Sequence, residues 1–295
     1  MNNDEVKGLR EILRKIAELA TSTTNSVEIS SGITQKITCT PKSLPKHLVV
    51  PAAKKAVEIN PSNHPPVKAL RALVPNFEFT KERIGILTSK KWDAKGVYLS
   101  VGFLDDPPPE LSERILKHMN AWSKTANVGF VEFVETAILT QPQVRIARKQ
   151  GDGHWSYLGT DILSIPSNEP TMNLDSFTMD TDESEFFRVV RHETGHTLGF
   201  PHEHMRRDLV NLIDEAKAIA YFLKTQGWTP EEVRTQVLTP IEESTLSGTP
   251  FANPNSIMCY QIPGTITIDG KPILGGVVID DSDYQYAAQF YPKDS

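Results

Sequence analysis

Cysteine is scarce. Only Cys39 and Cys259 occur in 295 residues, 220 positions apart in sequence, so the fold has to stand without the disulfide framework that a small secreted scaffold uses. Long apolar runs are also missing. No stretch approaches the roughly 18 residues needed to cross a bilayer as a helix, and no membrane span is expected. A basic surplus is absent as well: 31 Lys and Arg face 37 Asp and Glu, a formal charge of −6, and the basic residues form no stripe. Nucleic acid is therefore not the expected partner. The first 25 residues lack an apolar core between a basic start and a small-residue cleavage site, so they do not read as a secretory signal. What remains is ordinary globular usage, 39% hydrophobic and 23% charged.

Periodicity divides the chain. Leu9, Ile12, Leu13, Ile16 and Leu19 recur at three- and four-residue spacing and predict an amphipathic helix within Lys7–Ala20. Residues 21–66, rich in Ser, Thr and Pro, read as an extended segment with β-like pieces at Val27–Ile29 and Leu48–Val50. The division expected is an N-terminal helix and extended segment over 1–89, a candidate pro-region, followed by a catalytic domain over 90–295.

Within the second part, Val97–Leu104, Val128–Val134 and Val144–Ala147 predict strands. Pro107–Pro109 opens a helix that aligns Leu111, Ile115, Met119 and Trp122. The Gly-bounded segment Gly151–Gly159 suits a short edge strand. A helix over about Glu183–Leu198 is expected to start at Asp182 with Glu185 reaching back, and to stop at Gly199. Further helices are expected at Leu212–Thr225, Pro230–Leu238 and from about Asp281 to Tyr291. The fold class is α/β (α+β): a mixed twisted sheet with helices, then an irregular, helix-bearing C-terminal part.

The long helix carries His192-Glu-Thr-Gly-His196, followed by Gly199 and His202. Positions i and i+4 share a helical face, so His192 and His196 can present imidazoles to one ion, and the break at Gly199 lets His202 approach from another side. Three neutral nitrogens leave one coordination position open for water, which Glu193 is placed to deprotonate as general base. With 8 His and 17 Gly in the chain, such a motif arises by chance with odds on the order of 10⁻⁵. Histidines merely satisfied inside a core helix are therefore a poor account of it. A closed structural zinc would need a fourth Cys or His, and the motif itself supplies only three ligands.

This long motif is that of metzincins, which carry a Met-containing turn further on. Ser256-Ile-Met-Cys-Tyr260 resembles the astacin family's Ser-x-Met-x-Tyr turn. His202-Glu-His-Met-Arg206-Arg-Asp208 resembles that family's extension of the motif, and Trp155-Ser-Tyr-Leu-Gly159 its Trp-Ser-x-x-Gly segment. Thr171-Met-Asn-Leu and Glu203-His204 are similar to bacterial and fungal members. The resemblance covers about residues 90–292. It implies one zinc ion per chain on His192, His196 and His202, with Met258 as an apolar floor and Tyr260 stabilising the oxyanion. Trp155, Ser156 and Tyr157 would border an extended protein or peptide substrate. The implied activity is zinc-dependent endopeptidase hydrolysis. The alternative is a zinc-containing binding module or latent effector that recognises a partner through its N-terminal segment.

Departures from the family are visible too. The catalytic part has one cysteine, Cys259, where the family has two disulfides, and the pro-segment motif Phe-x-Gly-Asp is missing from 1–89. Cys39 keeps two readings: a small buried hydrophobe, the commoner use of a free cysteine, or a thiolate filling the open zinc position to keep the enzyme silent. A monomer is expected. Export without a classical signal peptide is the expected location, with the cytoplasm as alternative.

Overall fold

The computed structural model describes residue 39 and residues 42–65, 67, 80–203, 206–238, 253–259 and 261–293. The expected helix at 7–20, the β-like piece at 27–29 and Tyr260 lie outside the described residues. The chain divides into two compact units, Met1–Lys36 and Ile37–Ser295, and everything described belongs to the second.

A five-stranded sheet organises that unit. Strands β1 (Val97–Phe103), β2 (Val128–Glu132), β3 (Val144–Ala147), β4 (Trp155–Ser156) and β5 (Met172–Asn173) lie in the order β2-β1-β3-β5-β4. All neighbours are parallel except β4, which pairs antiparallel with β5 at the edge. Val97, Leu99 and Val101 turn inward while Tyr98 is exposed, and Ser100 on the opposite face from them is buried as well. Helix Pro109–Met119 starts on Pro, whose missing N–H costs nothing there, and buries Leu111, Ile115 and Met119.

In chain order the helices are α1 (Lys46–Ile59), α2 (Lys81–Leu87), α3 (Pro109–Met119), α4 (Glu183–Glu185), α5 (Arg191–Thr197), α6 (Arg207–Val210), α7 (Glu215–Gln226), α8 (Pro230–Val233) and α9 (Asp281–Phe290). The β-like piece at Leu48–Val50 is in fact helical, inside α1. Ala52, Ala53 and Ala56 dock that helix, and their tertiary packing outweighs the β-propensity of Val49 and Val50. Helix α7 is capped by the Asp214 carboxylate, which accepts from Lys217 N, and ends on Gly227 in the left-handed region.

Two apolar clusters form the core. The larger sits between the sheet, α3 and the 183–198 helix and includes Trp122, Phe186, Leu198 and Met258. The smaller gathers Phe222, Val233, Val237 and Ile262 around both Cys39 and Cys259. Met258 and Cys259, adjacent in sequence, thus belong to different clusters, and the turn they occupy joins the two.

Candidate active site

The helix expected over 183–198 is present but not uniform. Its α-helical ends, α4 and α5, flank a π-helical turn over Phe186–Val190. The expected capping box does not form: Asp182 makes no side-chain cap bond, and the Glu185 carboxylate pairs with Arg188 at 2.5 Å instead. At the other end Gly199 adopts φ +94°, as expected of a helix stop, and a Cβ there would sit 2.9 Å from Lys90 O.

His192 and His196 point their Nε2 atoms the same way. Each ring is fixed from behind: His192 Nδ1 donates to Ile257 O at 2.6 Å, and His196 Nδ1 donates to Phe200 O at 2.8 Å. With the proton held on Nδ1, each Nε2 keeps a lone pair, the tautomer a metal ligand needs. His202 Nε2 lies 3.1 Å from His192 Nε2 and 2.9 Å from His196 Nε2. A single proton on His202 cannot serve both neighbours; a cation between them serves all three.

The fourth member comes from far away in sequence. Cys39 Sγ stands 3.4 Å from His202 Nε2 and 3.6 Å from His196 Nε2, and the four ligand atoms, all buried, lie within 4.8 Å of one another. Zinc bonds of about 2.1 Å to nitrogen and 2.3 Å to sulfur, at tetrahedral angles, imply N···N of roughly 3.4 Å and S···N of roughly 3.6 Å. The donor set and its spacing fit zinc. The fourth donor is thus Cys39, 153 residues before His192 and outside the motif.

Glu193 is fully buried beside these ligands, and the Cys39 thiol is the hydrogen-bonding neighbour of its carboxylate. Burial pushes its pKa up to about 8, with the Cys39 thiol opposing the shift. A cation on the histidines would favour the ionised form. Burial also drives His196 down to about 4, which keeps it neutral and ready to ligate.

Met258 lies under the helix, buried and pressed against Gly195. A Cβ at position 195 would collide with the Met258 sulfur and come within 3.2 Å of Trp122. The second variable position of the motif is glycine for that reason. The Met258 carbonyl accepts from Glu203 N at 2.9 Å. Beneath the turn, Asp283 of α9 accepts from Ser256 Oγ at 2.5 Å and from Ile257 N at 2.9 Å. Asp283 was not anticipated from sequence, although Asp280 and Asp283 at N-cap and N3 of α9 carry a readable capping pattern.

Trp155 and Ser156 are buried rather than open. Ser156 Oγ lies 3.0 Å from Thr197 Oγ1, which ties β4 to the metal-site helix, and Lys42 Nζ sits over the Trp155 ring at 4.3 Å. Tyr157 is partly buried and its N–H donates to Thr171 O. Cys39 forms a parallel β-bridge with His154 next to β4, so this segment of the chain already covers that edge. Glu203 is half-buried, accepts from Asn253 N and pairs with Arg206 at 3.4 Å.

The model of the Astacin peptidase family matches residues 87–261, more than half of the chain. The chain belongs to the astacin family. Among curated proteins it is 32% identical over 119 residues to zinc metalloproteinase nas-27 of Caenorhabditis elegans. That match takes in 40% of this chain and spans about a quarter, 24%, of the relative's length. Two solved structures of myroilysin superpose with TM-scores of 0.64 and 0.53 at 33% and 34% identity; each match covers 70% of this chain, and 97% and 87% of those chains. The mixed sheet and the metal-site helix of this astacin-family chain are accordingly a family architecture. Among the described residues no helix is long and apolar enough to cross a membrane.

Proposed function

We propose that the protein is a zinc endopeptidase, monomeric and exported from its producer, with Glu193 as general base and Cys39 holding it silent. The observation that carries this is the convergence of three imidazoles on one point beside the buried carboxylate of Glu193.

Zinc on His192, His196 and His202 supplies a Lewis acid for the scissile carbonyl and for water. The protein's own groups do the rest. Ile257 O and Phe200 O hold the imidazole tautomers. Glu193 takes a proton from the attacking water and passes it to the departing amine. The free edge of β4 pairs with an extended polypeptide by strand addition, once the Cys39 segment has left it. By family resemblance Tyr260 eases charge on the carbonyl oxygen. Hydrolysis adds water across the peptide bond and releases two shorter chains.

One observation favours a second reading. Cys39 closes the site to three nitrogens and a thiolate, the composition of a structural zinc, which would make the chain a binding module. Glu193 argues against it. Burying a carboxylate with only a thiol beside it costs stability, and a purely structural site gains nothing in return. A quenched-peptide assay of Cys39→Ala with and without a chelator tests the choice: chelator-sensitive cleavage supports the peptidase, while zinc-loaded Cys39→Ala that cuts nothing supports the module. For location, recovering intact protein only from the producing cell's cytosol counts against export.

A further inference from the structure

We propose that the enzyme selects polypeptides with a basic side chain a few residues from the cut bond, and that the face of Trp155 is the subsite that reads it. This deepens the peptidase reading given above and rests on it.

The chain's own occupant of the cleft shows what the subsite accepts. Cys39 stands among the metal-site histidines and forms a parallel bridge with His154 beside β4, so this stretch lies on the ground an extended substrate needs. Three residues further on, Lys42 places its ammonium over the Trp155 ring, 4.3 Å from the centroid. Trp155 is buried in this state, with Lys42 covering one ring face. Three residues of chain reach at most about 11 Å, so the ring is within a few residues of the metal for any polypeptide that lies in the same cleft.

The ring is set without help from Lys42. Its indole N–H donates to the Asp152 carboxylate at 3.3 Å, and Tyr157 meets it edge to face with centroids 5.8 Å apart. The neighbouring Ser156 hydroxyl, 3.0 Å from that of Thr197, pins β4 to the metal-site helix and fixes the ring relative to the histidines. Trp155 is thus a preformed aromatic platform, and an indole face is the best of the aromatic surfaces for a cation.

The charge around the ring points the same way. Asp152 lies at its N–H edge, and Asp175 accepts from the N–H groups of Gly151 and Gly153 in the adjoining loop. The cation paired with Asp152 is Lys149, at 3.7 Å, and its side chain is largely exposed. A carboxylate laid on the ring would meet the negative face of the π-system as well as these two acids. A lysine or arginine gains from both, while an uncharged aliphatic chain of the same length packs on the ring and gains from neither.

The test uses full-length, zinc-loaded protein carrying Cys39→Ala and Lys42→Ala, so that the chain itself holds neither the metal nor the ring. Quenched peptides that differ at one position within about four residues of the cut bond compare lysine with norleucine and with glutamate. At one of those positions lysine is expected to raise kcat/KM about five- to thirtyfold over norleucine, the range a cation over an indole face supplies, and glutamate to fall below norleucine. Trp155→Leu is expected to bring lysine and norleucine within about twofold, and Trp155→Phe to keep part of the preference. Asp152→Asn keeps an acceptor for the indole N–H but removes the charge, and is expected to cut the preference by about two- to threefold. Cleavage without a lysine preference at any of these positions overturns the proposal and leaves the peptidase reading in place. So does a preference unchanged in folded Trp155→Leu or, should that variant not fold, in Asp152→Asn. If the zinc-loaded protein shows no chelator-sensitive cleavage of any peptide, the peptidase reading falls and the proposal with it.

Discussion

His192 Nδ1 donates to the carbonyl of Ile257 at 2.6 Å, and the Ile257 N–H is held in turn by the Asp283 carboxylate at 2.9 Å. The His192 imidazole on the central helix is thus oriented by the last helix through the turn between them. Asp283→Ala is expected to weaken zinc binding by roughly 10- to 100-fold, the usual loss when a partner behind a metal ligand is removed. Competition against a chelator measures it. Unchanged affinity in a folded variant would contradict the relay.

Gly195 and Met258 share one space. Gly195→Ala is expected to cost about 1–3 kcal/mol through overpacking against the Met258 sulfur and Trp122. Met258→Ala on its own removes a buried side chain and also destabilises. Combined, the two should cost less than the sum of the singles, because the new methyl enters the space the sulfur vacates. Denaturant titration of the four proteins checks this, and simple additivity would refute the contact.

Acid should destabilise the metal-free protein. Burial holds His196 at about 4, well below the ordinary 6.5, so between those values its ring stays unprotonated in the fold. Denaturant titration is expected to show stability declining as the pH falls from about 6.5 to about 4; no decline across that window would contradict it. Unfolding lets His196 bind a proton at its ordinary value, so its contribution to stability is complete above about pH 6.5, declines as the pH falls, and is gone below about 4.

The convergence of the three histidines was legible because the motif is local. An i, i+4 pair on a helix followed by a glycine stop needs no knowledge of the remaining fold, and Gly199 performs as its place in the motif requires. The strands at Val97 and Val144 were legible from their own alternation and β-branching. Helix α1 was not, since Val49 and Val50 look extended in isolation and only the docking of Ala52, Ala53 and Ala56 makes them helical. The π-helical turn at Phe186–Val190 leaves no mark in the periodicity. Cys39 reaches His196 across 157 residues, and Asp283 reaches Ser256 across 27, contacts set by packing rather than by any local pattern.

The central claim concerns Glu193 as the base beside a three-histidine metal. Cys39→Ala should be compared with Cys39→Ala plus Glu193→Gln for zinc content and for hydrolysis of a quenched peptide. Equal zinc in both, with hydrolysis lower by about 10²- to 10⁴-fold in the double variant, is the predicted result. Equal zinc with equal hydrolysis would contradict the account.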